Sequence, residues 1–556
     1  MWYIRKGRFT KAESYLRKAV DVLTRRNRNP YDGEPIYNLA LCLEYQGRHD
    51  EAYELFYKST WNAAWQDAGY FACARISARR GNWNSALNEV EQSLKRNWHN
   101  FQARALKAAI LRRLGREEEA IAHIEESLKI DRFNFGCRFE RMLIDSQGAE
   151  EFAAMMRSEA HNYNELALDY CAAGLYEDAA VIWRLAAEEG AIDCMSAYYR
   201  QHYCGVKARS ARELKLSFPN RLEAIAALEN AGQEDAFAAY LLGCLYYDKR
   251  QYDLAKAAWE KAVALDPQLP GSWRNLALIY YNKEGKAVKA REAMERAFEL
   301  DRSDSRILME LDQLYKKLQL PYAERLEFLS KYPELIAQRD DLLLEEITLL
   351  NMTGAHEEAM RKLDSHIFHP WEGGEGKVPA QYQLARTELA RKAILEDRCE
   401  EAVRLLEECF VYPHNLGEGK LHGAQEQDFY FLLGCAYEKA GQHDKAVEMW
   451  EKGAVGKQKP VAALYYNDAK PEKIYYQGLC LKFLGRTEEA EARFKELISY
   501  GEEHLADEIV MDYFAVSLPD LLIWDEDLNK RNVAHCTLMK ELGMRGLAAD
   551  SYLGVL

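Results

Sequence analysis

One small residue, recurring at a helical interval, constrains this chain more than anything else in it. Alanines stand at Ala12, Ala52, Ala86, Ala120, Ala179, Ala255, Ala290, Ala323, Ala359, Ala402, Ala446, Ala490 and Ala548, and the steps from Ala52 to Ala86 and from Ala86 to Ala120 are both 34 residues. In ten of these thirteen units a glycine sits five residues earlier, as at Gly47, Gly81 and Gly441. Four residues after the alanine comes a large apolar side chain in twelve of them, such as Phe56, Ile124, Trp183, Trp259 and Trp450. Twelve residues before it a second small residue is common, as in Ala40, Ala74, Ala108, Ala167, Gly243, Ala390, Gly434 and Gly478. The pattern predicts a helix, a tight turn and a second helix in each unit. Paired small residues let the two axes approach, and glycine ends the first helix at little cost. The large residue lies one turn along the same face and fills the gap between hairpins. No such hairpin buries its apolar face alone, so neighbours must stack.

The alanine, glycine and large-residue register resembles the tetratricopeptide repeat (TPR). The clearest unit spans 240–270 and carries Gly243, Tyr252, Ala255, Trp259, Ala262 and Pro267; the next has Trp273, Leu276, Ala277 and Tyr280. The resemblance implies an all-α, right-handed superhelical solenoid of antiparallel helix hairpins, with about a dozen repeats. Departures are visible. The Ala323 unit has Leu311 in place of the small partner, Glu327 in place of the large residue and no turn glycine; the Ala359 unit has Ile347 in place of its small partner. The 59- and 76-residue gaps after Ala120 and Ala179 call for extra helices, for example at 139–156 and 221–229. The expected organisation is TPR-like repeats at 1–132, the first of them truncated. Degenerate repeats with inserted helices follow at 133–235, then TPR-like repeats at 236–366 and, with two loop insertions, at 367–500. Terminal helices and an incomplete last repeat fill 501–556. The short first unit suggests a segment of a longer polypeptide, or ends covered by a partner.

Two loops interrupt the helices: HPWEGGEGK at 369–377 and YPHNLGEGK at 412–420, with their prolines and their lysines each 43 residues apart. Read as a binding edge, they bring Trp371, Glu372, Glu375, Lys377, His414, Asn415, Glu418 and Lys420 together. Read as turns, their glycines and prolines pack the loops onto the array. The GEGK sequence is not a phosphate-binding loop, whose spacing and preceding strand are missing. The loops, together with 423–441 and 512–532, resemble a bacterial family in which a carbohydrate-related domain of unknown function precedes a long TPR array.

By the register of the resemblance, first helices line a concave face. Tyr37, Phe71, Tyr240, Phe431 and Tyr475 then face the groove, with Tyr247 and Tyr281 further along; the alternative for each ring is packing between adjacent first helices. Arg75, Arg79, Arg80, Arg112 and Arg113 cluster on two neighbouring first helices and could clamp an acidic peptide, or simply be solvated cations favouring helix C-termini.

Composition excludes more than it identifies. The formal charge of −15 offers no basic face for a phosphate backbone, so no nucleic acid is expected. No long apolar stretch spans a membrane. Twelve scattered cysteines without a CxxC pair point to a reducing, cytoplasmic setting. His366 and His369 lack further ligands of metal spacing, and no nucleophile or zinc-protease motif is present, so neither a cofactor nor catalysis is expected. The expected function is a scaffold that binds a protein or peptide, the upstream domain of its own polypeptide among the partners. The alternative is an accessory role in shaping the sugar site of a carbohydrate-active enzyme.

Overall fold

The computed structural model describes all residues except 146–147, 209–210, 463–467, 469 and 511–522. Within the described residues the chain is helical throughout, and the lone β-bridge pairs Asp193 with Lys215. Helices follow one another as antiparallel hairpins, for example Glu34–Tyr45 with His49–Ser59, Gln66–Arg79 with Trp83–Arg96, and Gln427–Lys439 with His443–Gly453. The hairpins group into two compact units, Met1–Leu276 and Ala277–Leu556.

The alanine register holds at eleven of the thirteen positions, which are all buried. Nine of the ten turn glycines adopt a left-handed backbone, with φ between 64° and 84°. Where the turn glycine is missing, the chain still makes the turn: Arg250 and Asp397, five residues before Ala255 and Ala402, sit at φ 56° and 63°. Such a conformation costs a residue with a Cβ about 1–2 kcal/mol.

Size is matched across three of the hairpins. A Cβ placed on Gly243 would lie 2.3 Å from the Trp259 indole, one on Gly434 2.2 Å from Trp450, and one on Gly478 2.5 Å from the Phe494 ring. In these three hairpins a bulky ring on the second helix occupies the volume that a side chain on the first would need. Where the second-helix residue is Val90, Ile124 or Leu406, the first helix carries alanine instead.

Two of the thirteen units break the register. Ala323 is exposed, because helix Tyr322–Leu329 presents Arg325 inward instead. That guanidinium is 1% exposed and bonds Asp312 at 2.7 Å and Glu345 at 2.6 Å, so an ion pair replaces the small-residue contact. Ala548 is also exposed, and there is no terminal hairpin there. Helix Leu528–Ala548 runs straight through Gly543. Gly543 and Gly546 are contact positions instead of turns: a Cβ on either would strike Phe494, at 2.5 Å and 2.2 Å. The gaps hold inserted helices Phe135–Ile144, Ala149–Met156 and Glu223–Ala231, close to where they are expected.

The first unit closes on itself. Gly7 packs against Ile225, and Gln251 Nε2 donates to the Lys6 carbonyl oxygen at 2.7 Å. Of the short helix Trp2–Arg5, Ile4 is buried while Trp2 and Arg5 stay exposed. The twelve cysteines are all free, nine of them buried. None of the described helices is long and apolar enough to cross a membrane.

Candidate functional site

The inner helices of the first unit enclose a cavity of about 400 Å³. Helix Gln66–Arg79 contributes Phe71 and Arg75, helix Phe101–Arg113 contributes Phe101 and Gln102, and helix Ala160–Ala172 contributes Glu165 and Asp169 from the opposite side. Phe133 lies at the mouth. Phe101 and Phe133 remain 43% and 46% exposed, large apolar rings held at the rim with no core to enter. Helices Phe101–Arg113 and Phe135–Ile144 come this close because Gly136 faces Ala105, where a Cβ would sit 2.4 Å from the alanine methyl.

Polar groups in the wall are few and directed. Arg75 bonds Glu44 at 3.0 Å and lays its guanidinium 5.3 Å from the Phe71 ring. Its Nε is buried without a hydrogen-bond partner. Gln102 Nε2 donates to both oxygens of Asp169, at 2.9 and 3.0 Å. Burial pushes the Asp169 carboxyl up, against the Gln102 bond and the nearby Arg221 and Arg75 charges, which pull it down. Apolar rings around a small number of aimed donors and acceptors are the composition of a site for a side chain with a polar neighbour.

The arginine cluster is put to a different use from the expected clamp. Arg79 Nη2 donates to the Cys171 and Ala172 carbonyl oxygens, at 2.9 and 3.0 Å, satisfying the C-terminal end of helix Ala160–Ala172. Arg112 bonds Glu140 at 2.6 Å and Asp178 at 2.9 Å, and Arg113 reaches the same Asp178 at 2.9 Å. The Tyr170 hydroxyl completes the set by donating to Glu140 at 2.6 Å. These cations tie early helices to later ones; Arg75 alone of the five clustered arginines lines the cavity. Arg80 pairs with Asp50 at 2.6 Å.

The aromatic stripe divides in the same way. Phe71 lines the cavity. Tyr37 stacks on Trp65 with centroids 4.7 Å apart, and Tyr247 lies 5.7 Å from Trp259. The Tyr240 ring covers Gly271. Phe431 and Tyr475, 0% and 4% exposed, belong to the hairpin core and line no open groove: Phe431 packs on Tyr476 of the next hairpin at 5.5 Å, and Tyr475 on Phe494 of its own second helix at 6.1 Å. Tyr281 meets Trp524 edge-on at 5.4 Å.

The two GEGK loops meet at one hydrogen bond, and the second is fastened to the residues just before the first. Asn415 Nδ2 donates to the Leu363 and His366 carbonyl oxygens at 2.8 and 2.9 Å, and its own carbonyl oxygen accepts from the Phe368 N–H at 2.8 Å. Glu418 accepts the Gly376 N–H at 2.7 Å, while burial and Glu375 push its carboxyl up. Trp371 folds over Gly374 of its own loop, and Lys420 pairs with Glu426. Glu372, Lys377 and His414 stay exposed. His366 and His369 both hold Asp340, at 2.7 and 3.1 Å, and among the described residues no group of three or more ligand side chains could take a metal ion.

Sequence reasoning missed Phe101, Phe133, Gln102 and Asp169. Phe133 carried one usable signal, an aromatic residue in the turn between hairpins, where polar residues are the rule.

Three segments match tetratricopeptide-repeat family models: residues 74–135, 243–284 and 427–453, less than half of the chain together. Among solved structures, yeast Tom70 is similar at 11% identity over 85% of this chain and 97% of its own, with a TM-score of 0.23. The TPR domain of P58(IPK) is similar at 14% identity over 82% of this chain and 99% of its own, with a TM-score of 0.18.

Proposed function

We propose that the chain is a protein-interaction scaffold whose first unit receives an extended segment of a partner protein. The carrying observation is the cavity with its paired exposed rings, Phe101 and Phe133, above Arg75 and Asp169. Rings fixed at a rim lose little freedom on binding, and the wall charges would set orientation. The repeat matches support the same class of role. An upstream domain of a longer polypeptide is one source of such a segment.

The test is a phage-displayed random peptide library panned on the intact chain. Enriched peptides should carry an aromatic or large aliphatic residue and compete with one another. They should be lost on joint Phe101→Ser and Phe133→Ser substitution, which removes exposed rings and spares the fold. Enrichment that survives those substitutions defeats the reading. Saturable oligosaccharide binding lost by the same variant would instead favour the carbohydrate role.

A further inference from the structure

A second surface, on the inner side of the C-terminal unit, already has an occupant. Residues 523–526, Ile-Trp-Asp-Glu, lie in non-helical coil, bent at 523 and 524, against the end of helix Pro270–Asn282 and the face of helix Ser305–Lys317. The two ends of the Asn282 side-chain amide read the backbone of this segment. Its Nδ2 donates to the Ile523 carbonyl oxygen at 2.8 Å, and its Oδ1 accepts the Asp525 N–H at 2.9 Å. Between those bonds Trp524 inserts, 2% exposed, with Nε1 donating to the Glu310 carbonyl oxygen at 2.9 Å and its ring against Tyr281. The carboxylates that follow face cations: Asp525 lies 3.2 Å from Lys283, and Glu526 lies 3.6 Å from Lys317.

We propose that this face is a binding site for a peptide carrying a tryptophan followed by two carboxylates. Residues 523–526 are its resident occupant, and a partner segment of the same chemistry displaces them. Three features separate the contact from ordinary hairpin packing. Helix Ser305–Lys317 packs as a hairpin element on Ala287–Leu300 and Tyr322–Leu329, whereas the segment touches it through one indole and polar groups. An amide that bonds a backbone carbonyl and the N–H two residues on fixes a peptide's path whatever its side chains. The indole then supplies the anchor. The half-exposed carboxylate–lysine pairs, worth little in stability, suit steering and discrimination of an incoming acidic segment. Asp527 accepts from the N–H groups of Asn529 and Lys530, so the occupant is fastened to helix Leu528–Ala548 and competes from a high effective concentration, roughly millimolar for a short tether.

The test uses the full chain and a fluorescein-labelled peptide Ile-Trp-Asp-Glu-Asp, followed by anisotropy. Wild type should bind it weakly. Trp524→Ala, which vacates the site, should bind it at least about tenfold more tightly, in line with removal of a tethered competitor. A peptide with alanine for tryptophan should fail to bind. Adding Asn282→Ala to the vacated chain should abolish binding, while Phe101→Ser with Phe133→Ser should leave it unchanged. If Trp524→Ala loses helical circular dichroism, joint Trp524→Leu, Asp525→Lys and Glu526→Lys substitution, which removes the indole's hydrogen bond, fills its volume in part and sets like charges against Lys283 and Lys317, takes its place. The proposal falls if neither vacated chain binds the peptide more tightly than wild type does.

Discussion

The two units fill their inner faces by different physics. In the first, arginines of early helices reach acceptors far along the chain: Arg79 meets Cys171, and Arg112 meets Asp178. In the second, the two most deeply buried guanidiniums stay local. Arg325 pairs with Asp312 and Glu345, and Arg386 with Asp364 and Glu408, joining neighbouring helices. Among the long-range contacts of that unit's inner helices is Trp524 on Glu310, with Arg391 on Tyr476 at shorter range. Closure by buried ions is all or nothing, because each charge has already lost its water and depends on a partner. Closure by one indole on a coil can be exchanged for another. The first unit is thus built to hold a cavity open at fixed dimensions, and the second to release what it holds.

Removing one ion should break this comparison most severely. Arg112→Met leaves Glu140, 0% exposed, with only the Tyr170 hydroxyl against its charge. A loss of about 3–5 kcal/mol is expected. In urea, followed by circular dichroism, an early transition should split from the main one, and Trp524→Ala should not move that early transition.

Acid should sharpen the contrast. His123 is buried and its Nε2 donates to the Arg104 carbonyl oxygen at 3.1 Å; burial, followed by the Lys107 charge, pushes its pKa down to about 4. The fold therefore favours neutral imidazole. Its contribution is complete above the unfolded value near 6.5 and is lost as pH falls toward the folded value. On the order of 2 kcal/mol should disappear between neutral pH and the lower value, from the first unit alone. Urea midpoints of His123→Gln, compared with wild type across that range, isolate the effect: the difference between the two should shrink in acid.

The smallest effect concerns a turn in the second unit. Asp397 holds φ 63° where most units have glycine. Asp397→Gly should raise stability by up to about 1 kcal/mol, seen as a higher urea midpoint of the second unit's transition. A fall would mean that the Lys439–Asp397 pair, at 3.1 Å, outweighs the backbone strain.

The hairpin register was legible because it depends on contacts within about 16 residues. Gly243 and Trp259 meet whatever the rest of the chain does. Ala323 misled because a buried ion can stand in for a small residue, and an arginine in a helical stretch looks solvated until Asp312 and Glu345 are both placed beside it. Gly543 misled because a glycine inside a helix and one ending a helix carry the same letter. The site was less legible. Arg79, Arg112 and Asp178 are joined by curvature accumulated over several hairpins, which no local spacing encodes. The paired loops were found by their repetition, but only the three backbone bonds of Asn415 and the Glu418–Gly376 bond reveal that the second loop is held by the first and the residues before it. Trp524 carried a faint signal, a lone indole in an acidic stretch outside any alanine unit.

The glycine–ring matches at Gly243 with Trp259, Gly434 with Trp450 and Gly478 with Phe494 also govern how such an array can be edited. Each match is a lock whose halves lie in separate rods, on either side of a turn. A crossover between genes inside that turn would marry a bulky ring to a methyl-bearing partner, or a void to a modest one. Whole hairpins, cut at the joints between them, can be transplanted or duplicated with the lock intact. For these three hairpins the unit of inheritance is therefore the pair, and the safe seams lie between pairs.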